Sequence, residues 1–225
     1  MSPWVPRVLI GVLTVAIGYA IYSIAVGEGG PRPAEIGGVN DVQRIFGGIP
    51  QDADALGPAD AAVTVSVFND IQCEPCARYQ IEVVDPLVEE YARTGEVRFE
   101  FRHFSVAPNE TTLAAIASEA AGRQERQWQY LDTFVRNQDL ARRRGVDDEL
   151  LLEIATAVPE LDLDQWELDY DSPESEGLVR EDAVLAAELE LPAQPAIVVS
   201  GPGGQRVLTE TPAPDQVREA IAQVA

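Results

Sequence analysis

The sequence predicts an α/β domain whose elements run strand, helix, strand, then a long all-helical block, then two strands and a closing helix. Three observations carry this reading. Two β-branched or aromatic runs, 61–68 and 96–104, flank an apolar stripe of helical spacing. Residues 110–190 show only helix-period patterns. Strand character returns at Ala196–Ser200 and leads through the turn signal Gly201-Pro202-Gly203-Gly204 into a second short run, RVLTE.

Ahead of this domain stands VLIGVLTVAIGYAIYSIAV, residues 8–26, with neither charge nor proline. As a helix it would span roughly 28 Å, the thickness of a hydrocarbon core. Residues 1–27 therefore read as a transmembrane anchor or a signal segment. The small residues Ala25 and Gly27 suit cleavage, while the length of the run favours a retained anchor. Arg7 before it suits an orientation with the N-terminus inside. Either outcome places the remainder outside the cytoplasm, membrane-bound or secreted. Residues 28–57, rich in Gly, Pro and Asp, read as a linker with room for a short helix near Asp41–Phe46. The domain proper is expected over 58–225, with its helical insertion at about 107–190.

Within the domain, Val63, Val65 and Val67 alternate with Thr64 and Ser66, and Phe68 adds an apolar group on the other face, as in an inner strand. A helix follows, with Ile81, Val84, Leu87, Val88 and Tyr91 on one side; Pro86 should kink it, and Gly95 can end it. Val97, Phe99 and Phe101 mark the next strand, and strand–helix–strand predicts a right-handed crossover with parallel strands. In the helical block, Asp147 can cap one helix, and Ser172-Pro173 can open another. Trp128, Tyr130 and Trp166 fall in helical stripes and are read as core or groove lining. Asp147-Asp148 and Asp162-Asp164 are read as solvated helix starts, since no calcium-loop spacing surrounds them. Val217, Ala220, Ile221 and Val224 form one side of the closing helix.

Composition bounds the partners. Hydrophobic content of 46% suits a folded core, but the net charge is −22, and all sixteen basic residues are arginine. Such a surface repels nucleic acid and anionic lipid, so neither is expected as a partner of the domain, although residues 8–26 would hold it to the bilayer.

Chemistry centres on Cys73-Glu74-Pro75-Cys76, which contains the only two cysteines. A dithiol where a strand runs into a helix can cycle between thiol and disulfide. The remote His103, the single histidine, cannot complete a four-ligand zinc set with two cysteines in one chain. It is expected to be a structural or surface histidine. No metal or organic cofactor is called for; the redox group is the Cys73–Cys76 disulfide itself.

The segments VSVFNDIQCEPC, YARTGEVRFEFRHF, AAIASEAAGRQERQWQY and LELPAQPAIVVS together resemble the DsbA-like branch of the thioredoxin superfamily, in its membrane-anchored or secreted bacterial members. The resemblance runs from about residue 57 to the C-terminus and implies a thioredoxin fold with an inserted helical subdomain. It also implies that Cys73 is the exposed nucleophile, Cys76 the resolving thiol, and Pro195 a cis-proline that presents backbone to substrate, with Gln194 beside it. The activity implied is thiol–disulfide exchange on secreted or membrane proteins, with reoxidation by a DsbB-like or VKOR-like membrane partner. The same chemistry run backward, as a reductase or isomerase, and a binding domain with a static disulfide are the alternatives.

Two features depart from the family pattern. Glu74 and Pro75 lie between the cysteines, where DsbA has proline and histidine, and a glutamate beside the Cys73 thiolate should oppose the helix dipole. That reasoning predicts a weaker oxidant than DsbA, whose potential is about −120 mV. Val67 occupies the position, six residues before Cys73, where thioredoxin and DsbA keep a buried acid.

Overall fold

The computed structural model describes residues 36–105 and 112–225. Among them, no helix is long and apolar enough to cross a membrane. The apolar run at 8–26, read as an anchor, lies outside the described residues.

Helix α1 (Val39–Phe46) opens the fold, followed by two short strands, β1 (Gln51–Asp52) and β2 (Ala55–Leu56). This corrects the reading of 28–57 as a linker. From residue 36 the segment belongs to the domain: Val42, Ile45, Phe46 and Leu56 are buried in the main core, and Phe46 packs on Trp128 at 5.8 Å between ring centroids. Frequent glycine in this stretch masks the apolar residues Val42, Ile45, Phe46 and Leu56 that enter the core. Gly57 joins β2 to the next strand at φ 107°, with its backbone so close to the Val97 carbonyl that a Cβ would sit 2.8 Å from the oxygen.

Strand β3 (Val63–Asn69) and strand β4 (Val97–His103) pair in parallel, from Val63 opposite Val97 to Asn69 opposite His103. Strand β5 (Ala196–Gly201) runs antiparallel on the other edge of β3, and β6 (Gly204–Leu208) continues the hairpin. The sheet order is β1-β2-β4-β3-β5-β6, so β3 is central. Its alternation has the expected result: Val63, Val65 and Val67 enter the main core, while Phe68 enters a second cluster with Ala186, Leu191, Ala196 and Val198 on the opposite face.

The crossover between β3 and β4 begins with helix α2 (Glu74–Tyr79), widens into π-type turns at Gln80–Val84, tightens over α3 (Asp85–Leu87) and widens again at Val88–Ala92. The disruption expected at Pro86 takes this form. Proline cannot donate to the carbonyl four residues back, and longer-reach hydrogen bonds take over around it.

Among the described residues, six helices lie between β4 and β5: α4 (Thr112–Gly122), α5 (Gln127–Arg136), α6 (Gln138–Arg144), α7 (Asp148–Thr156), α8 (Leu163–Tyr170) and α9 (Pro173–Glu188). Asp147, Asp162 and Ser172 each cap a helix by accepting the amide of Leu150, Gln165 and Ser175. Trp128, Tyr130 and Trp166 are core, and Trp166 stacks on Tyr170 at 5.3 Å. Helix α10 (Pro214–Val224) closes the chain against β5 and β6.

Polar groups tie the block to the sheet. Arg102 on β4 meets Asp54 at 2.6 Å, Glu100 at 2.9 Å and Asp182 of α9 at 3.3 Å, and the other oxygen of Asp182 accepts the His103 amide at 2.7 Å. The His103 ring lies 3.3 Å from Glu119 of α4, which also accepts from Gln127 at 2.6 Å. Burial pushes Glu119 up to about 8 and Asp182 up to about 7, helped in both cases by neighbouring carboxylates. Burial likewise lowers His103 to about 3. At neutral pH, then, Glu119 is protonated and His103 neutral, so their contact is a hydrogen bond and not an ion pair. His103 is structural, as the sequence indicates.

These shifts give stability a defined pH dependence. A carboxyl raised from 4.5 to about 8 stabilises fully below its unfolded value, and that share is lost as pH rises through 8. His103 acts in the opposite sense, but only below its unfolded value of 6.5. Between pH 6.5 and 8 the carboxyls therefore dominate, and thermal unfolding is expected to show stability falling. Glu119→Gln, a permanently neutral mimic, should lose about 1 kcal/mol less across that window than the parent.

Candidate active site

Strand β3 ends at Asn69 and the chain turns over three residues, Asp70–Gln72, into Cys73. The turn is held at each step: the Cys73 amide donates to the Asp70 carbonyl at 3.2 Å, the Gln72 amide to Asp70 Oδ1 at 2.9 Å, and the Phe104 amide to the Asn69 carbonyl at 3.0 Å. From α6, Gln138 Nε2 donates to the Ile71 carbonyl and, at 3.2 Å, to the Cys73 carbonyl. Asn69 Nδ2 donates to the Cys76 carbonyl at 3.2 Å. Both the strand and the helical block thus grip the turn that carries the dithiol.

Cys73 is the N-cap of α2 and forms a disulfide with Cys76. Its Sγ accepts the Cys76 amide at 3.3 Å, one of the unpaired N–H groups of the first helical turn. Those groups favour negative charge on Sγ and so favour the Cys73 thiolate. Cys73 is half-buried, whereas Cys76 is 0% exposed. An incoming thiolate can reach only the first sulfur. Pro75 sits in the first turn, where its missing N–H costs nothing, and is exposed.

Glu74 is exposed but not isolated. Its carboxylate pairs with Arg142 of α6 and with Arg78 at 3.4 Å, one turn along α2. The opposing field read from sequence for Glu74 is therefore largely offset by two guanidinium groups. Arg142 comes from a helix far along the chain, and no local signal in the sequence reveals the pairing.

Pro195 precedes β5, and the bond from Gln194 to Pro195 is cis. Because Ala196 pairs with Phe68, the register sets Pro195 at the end of β3 from which the dithiol turn departs. Pro195 is buried and Gln194 half-buried; the Gln194 Oε1 atom is itself buried, with no hydrogen-bond partner among the described residues. All six residues singled out from sequence, Cys73, Glu74, Pro75, Cys76, Gln194 and Pro195, lie at this one end of the sheet. Those the sequence reading missed are Asn69, Asp70 and Gln138, which support the turn, and Arg142, which holds Glu74; Gln138 and Arg142 lie outside every segment that carries the family resemblance. Val67 is confirmed as fully buried and apolar, with no acid at that position.

The comparisons with known proteins agree with this geometry. A family model described as thioredoxin matches residues 51–223. The probable disulfide bond formation protein D of Bacillus anthracis is 31% identical over 150 residues, covering 65% of this chain and 69% of that protein. Two crystal structures share the fold. Oxidised BdbD from Bacillus subtilis superposes with a TM-score of 0.62 at 21% identity, over 78% of this chain and 96% of that one. A thioredoxin-like oxidoreductase from Silicibacter pomeroyi does so at 0.60 and 23% identity, over 80% and 95%. A half-buried cysteine disulfide-bonded to a buried one, at the mouth of a thioredoxin-type sheet with such relatives, has one consistent assignment: the chain belongs to the thioredoxin superfamily as a DsbA-like thiol–disulfide oxidoreductase.

Proposed function

We propose that the protein is an extracytoplasmic thiol oxidase that transfers its Cys73–Cys76 disulfide to secreted or membrane proteins. The observation that carries this reading is the asymmetry of the pair: an accessible sulfur at a helix N-terminus, covalently joined to an inaccessible one. A substrate thiolate attacks Cys73 Sγ, the Cys73–Cys76 bond breaks, and Cys76 leaves as a thiolate that takes up a proton. A second substrate thiolate then attacks the substrate sulfur of the mixed disulfide and expels Cys73. The substrate gains a disulfide, and two electrons pass to the enzyme pair. The backbone at Gln194–Pro195, at the same end of the sheet as the dithiol turn, is the strand edge offered to substrate.

Reoxidation calls for an acceptor at the membrane, a DsbB-like or VKOR-like partner, and the apolar run 8–26 would keep the domain beside it. The relative named for disulfide bond formation supports the oxidising direction over the reductase or isomerase alternative.

Two experiments check the roles. Cys76→Ala treated with glutathione disulfide is expected to stop at a stable mixed disulfide on Cys73, whereas Cys73→Ala leaves the buried Cys76 unreacted; mass spectrometry distinguishes the two. Each variant should lose oxidation of a reduced dithiol peptide by on the order of a thousandfold or more. Arg142→Ala should unmask Glu74, raise the Cys73 thiol pKa by a few tenths and lower the potential by roughly 10 mV. Glu74→Gln in that background should reverse both.

A further inference from the structure

The family pattern places a buried acid at the position of Val67, and Val67 is sealed in the apolar core with Phe101 beside it in register. Three residues further on, Asp70 is a carboxylate that is only 6% exposed, in the turn between β3 and the dithiol. It does not make an ion pair with any of the described residues. Its carboxylate is instead held by neutral donors, the Gln72 amide at 2.9 Å and the Ser105 hydroxyl, while its backbone carbonyl accepts the Cys73 amide at 3.2 Å. Asp70 lines a cavity of about 140 Å³ together with the polar Asn69, His103, Ser105 and Arg180 and the apolar Phe104 and Val179.

We infer that Asp70 is the relocated acid of this dithiol, a positioning residue that fixes the turn before Cys73 and shares with Cys73 one of the two protons taken up on reduction. The inference rests on the proposed oxidase reading. Reduction by a substrate dithiol delivers two electrons, breaks the Cys73–Cys76 bond, and leaves two protons to be placed as the substrate becomes a disulfide. One proton goes to the buried Cys76. The other lies on Cys73 or on Asp70, three residues apart in one turn, because two negative charges there, one of them buried, compete for it.

The surroundings leave Asp70 as the group that responds. His103, across the cavity, is buried and neutral, and Glu119 behind it is protonated. Arg180 on α9 is exposed and paired with Glu176 at 2.6 Å. Glu74 on α2 is held by Arg142 and Arg78. Burial raises the Asp70 carboxyl, in the sense that readies it to take a proton when a thiolate forms nearby.

The test compares the intact protein with Asp70→Asn, which keeps the Oδ1 acceptor for the Gln72 amide and removes only the charge, and with Asp70→Ser as a second neutral variant. The Cys73 thiol is titrated by its ultraviolet thiolate absorbance, and thermal unfolding of the oxidised form is followed in parallel. Both variants should titrate at lower pH, with on the order of tenfold more thiolate at a given pH below the parent's pKa. In the unsubstituted protein, infrared difference spectra should show a protonated-carboxyl band appearing on reduction, and that band should be missing in Asp70→Asn. A Cys73 titration unmoved in both variants, or no carboxyl band on reduction of the parent protein, overturns the inference. A parent protein that fails to oxidise dithiol peptides at all overturns the oxidase reading instead, so the two failures are distinguishable.

Discussion

The structure depends on the position of β3 as a central strand buried on both faces. Parallel pairing with β4 and antiparallel pairing with β5 bring three chain segments to one end of the sheet: the turn Asp70–Gln72, the stretch His103–Ser105, and Pro195. A shift of one residue in either register would turn Val63, Val65 and Val67 out of the main core and Phe68 into it. The hydrophobic pattern that folds the domain is thus the same pattern that places a cis-proline beside a dithiol. Most of the cost of assembling the site is met by burying side chains that never touch a substrate.

Over that frame, the helical block does more than cover the core. Gln138 and Arg142 of α6 reach the dithiol turn and its first intervening residue, and Asp182 of α9 reaches the backbone of β4 at His103. Glu74 illustrates the consequence. A charge beside a thiolate reads from sequence as a penalty, yet two arginines, one from 68 residues further along the chain, balance it. Such exposed pairs contribute little to stability. Their effect is on the local potential at Cys73, which leaves the poise of the pair to groups that are buried.

The strands, the crossover, the helical block and its caps were legible because each is written in local periodicity: Val63–Val67 for a half-alternating inner strand, Asp147 and Ser172 for helix starts, Gly201–Gly204 for a hairpin. The dithiol and Pro195 were legible because their spacing and flanks belong to a known family pattern. Of residues 39–56 only the short helix near Asp41–Phe46 was legible; two strands of two residues are too short to show a period, and only packing against Trp128 and β4 makes the segment part of the core. The supporting residues of the site were hidden for a related reason. Gln138 hydrogen-bonds a carbonyl 65 residues away, a contact created by tertiary packing alone. Asp70 lay within the quoted motif but looked like an ordinary turn aspartate until its burial was known.

The account makes the Cys73–Cys76 pair a donor of disulfides, and the direction of electron flow is its central claim. Trapping thiols with acid in intact cells that express the full chain, then alkylating and resolving the oxidised from the reduced form, measures that direction without a chosen substrate. The account predicts a pair that is mostly disulfide at steady state. A pair found mostly as the dithiol would contradict it and would assign the same fold and the same two sulfurs to reduction or isomerisation.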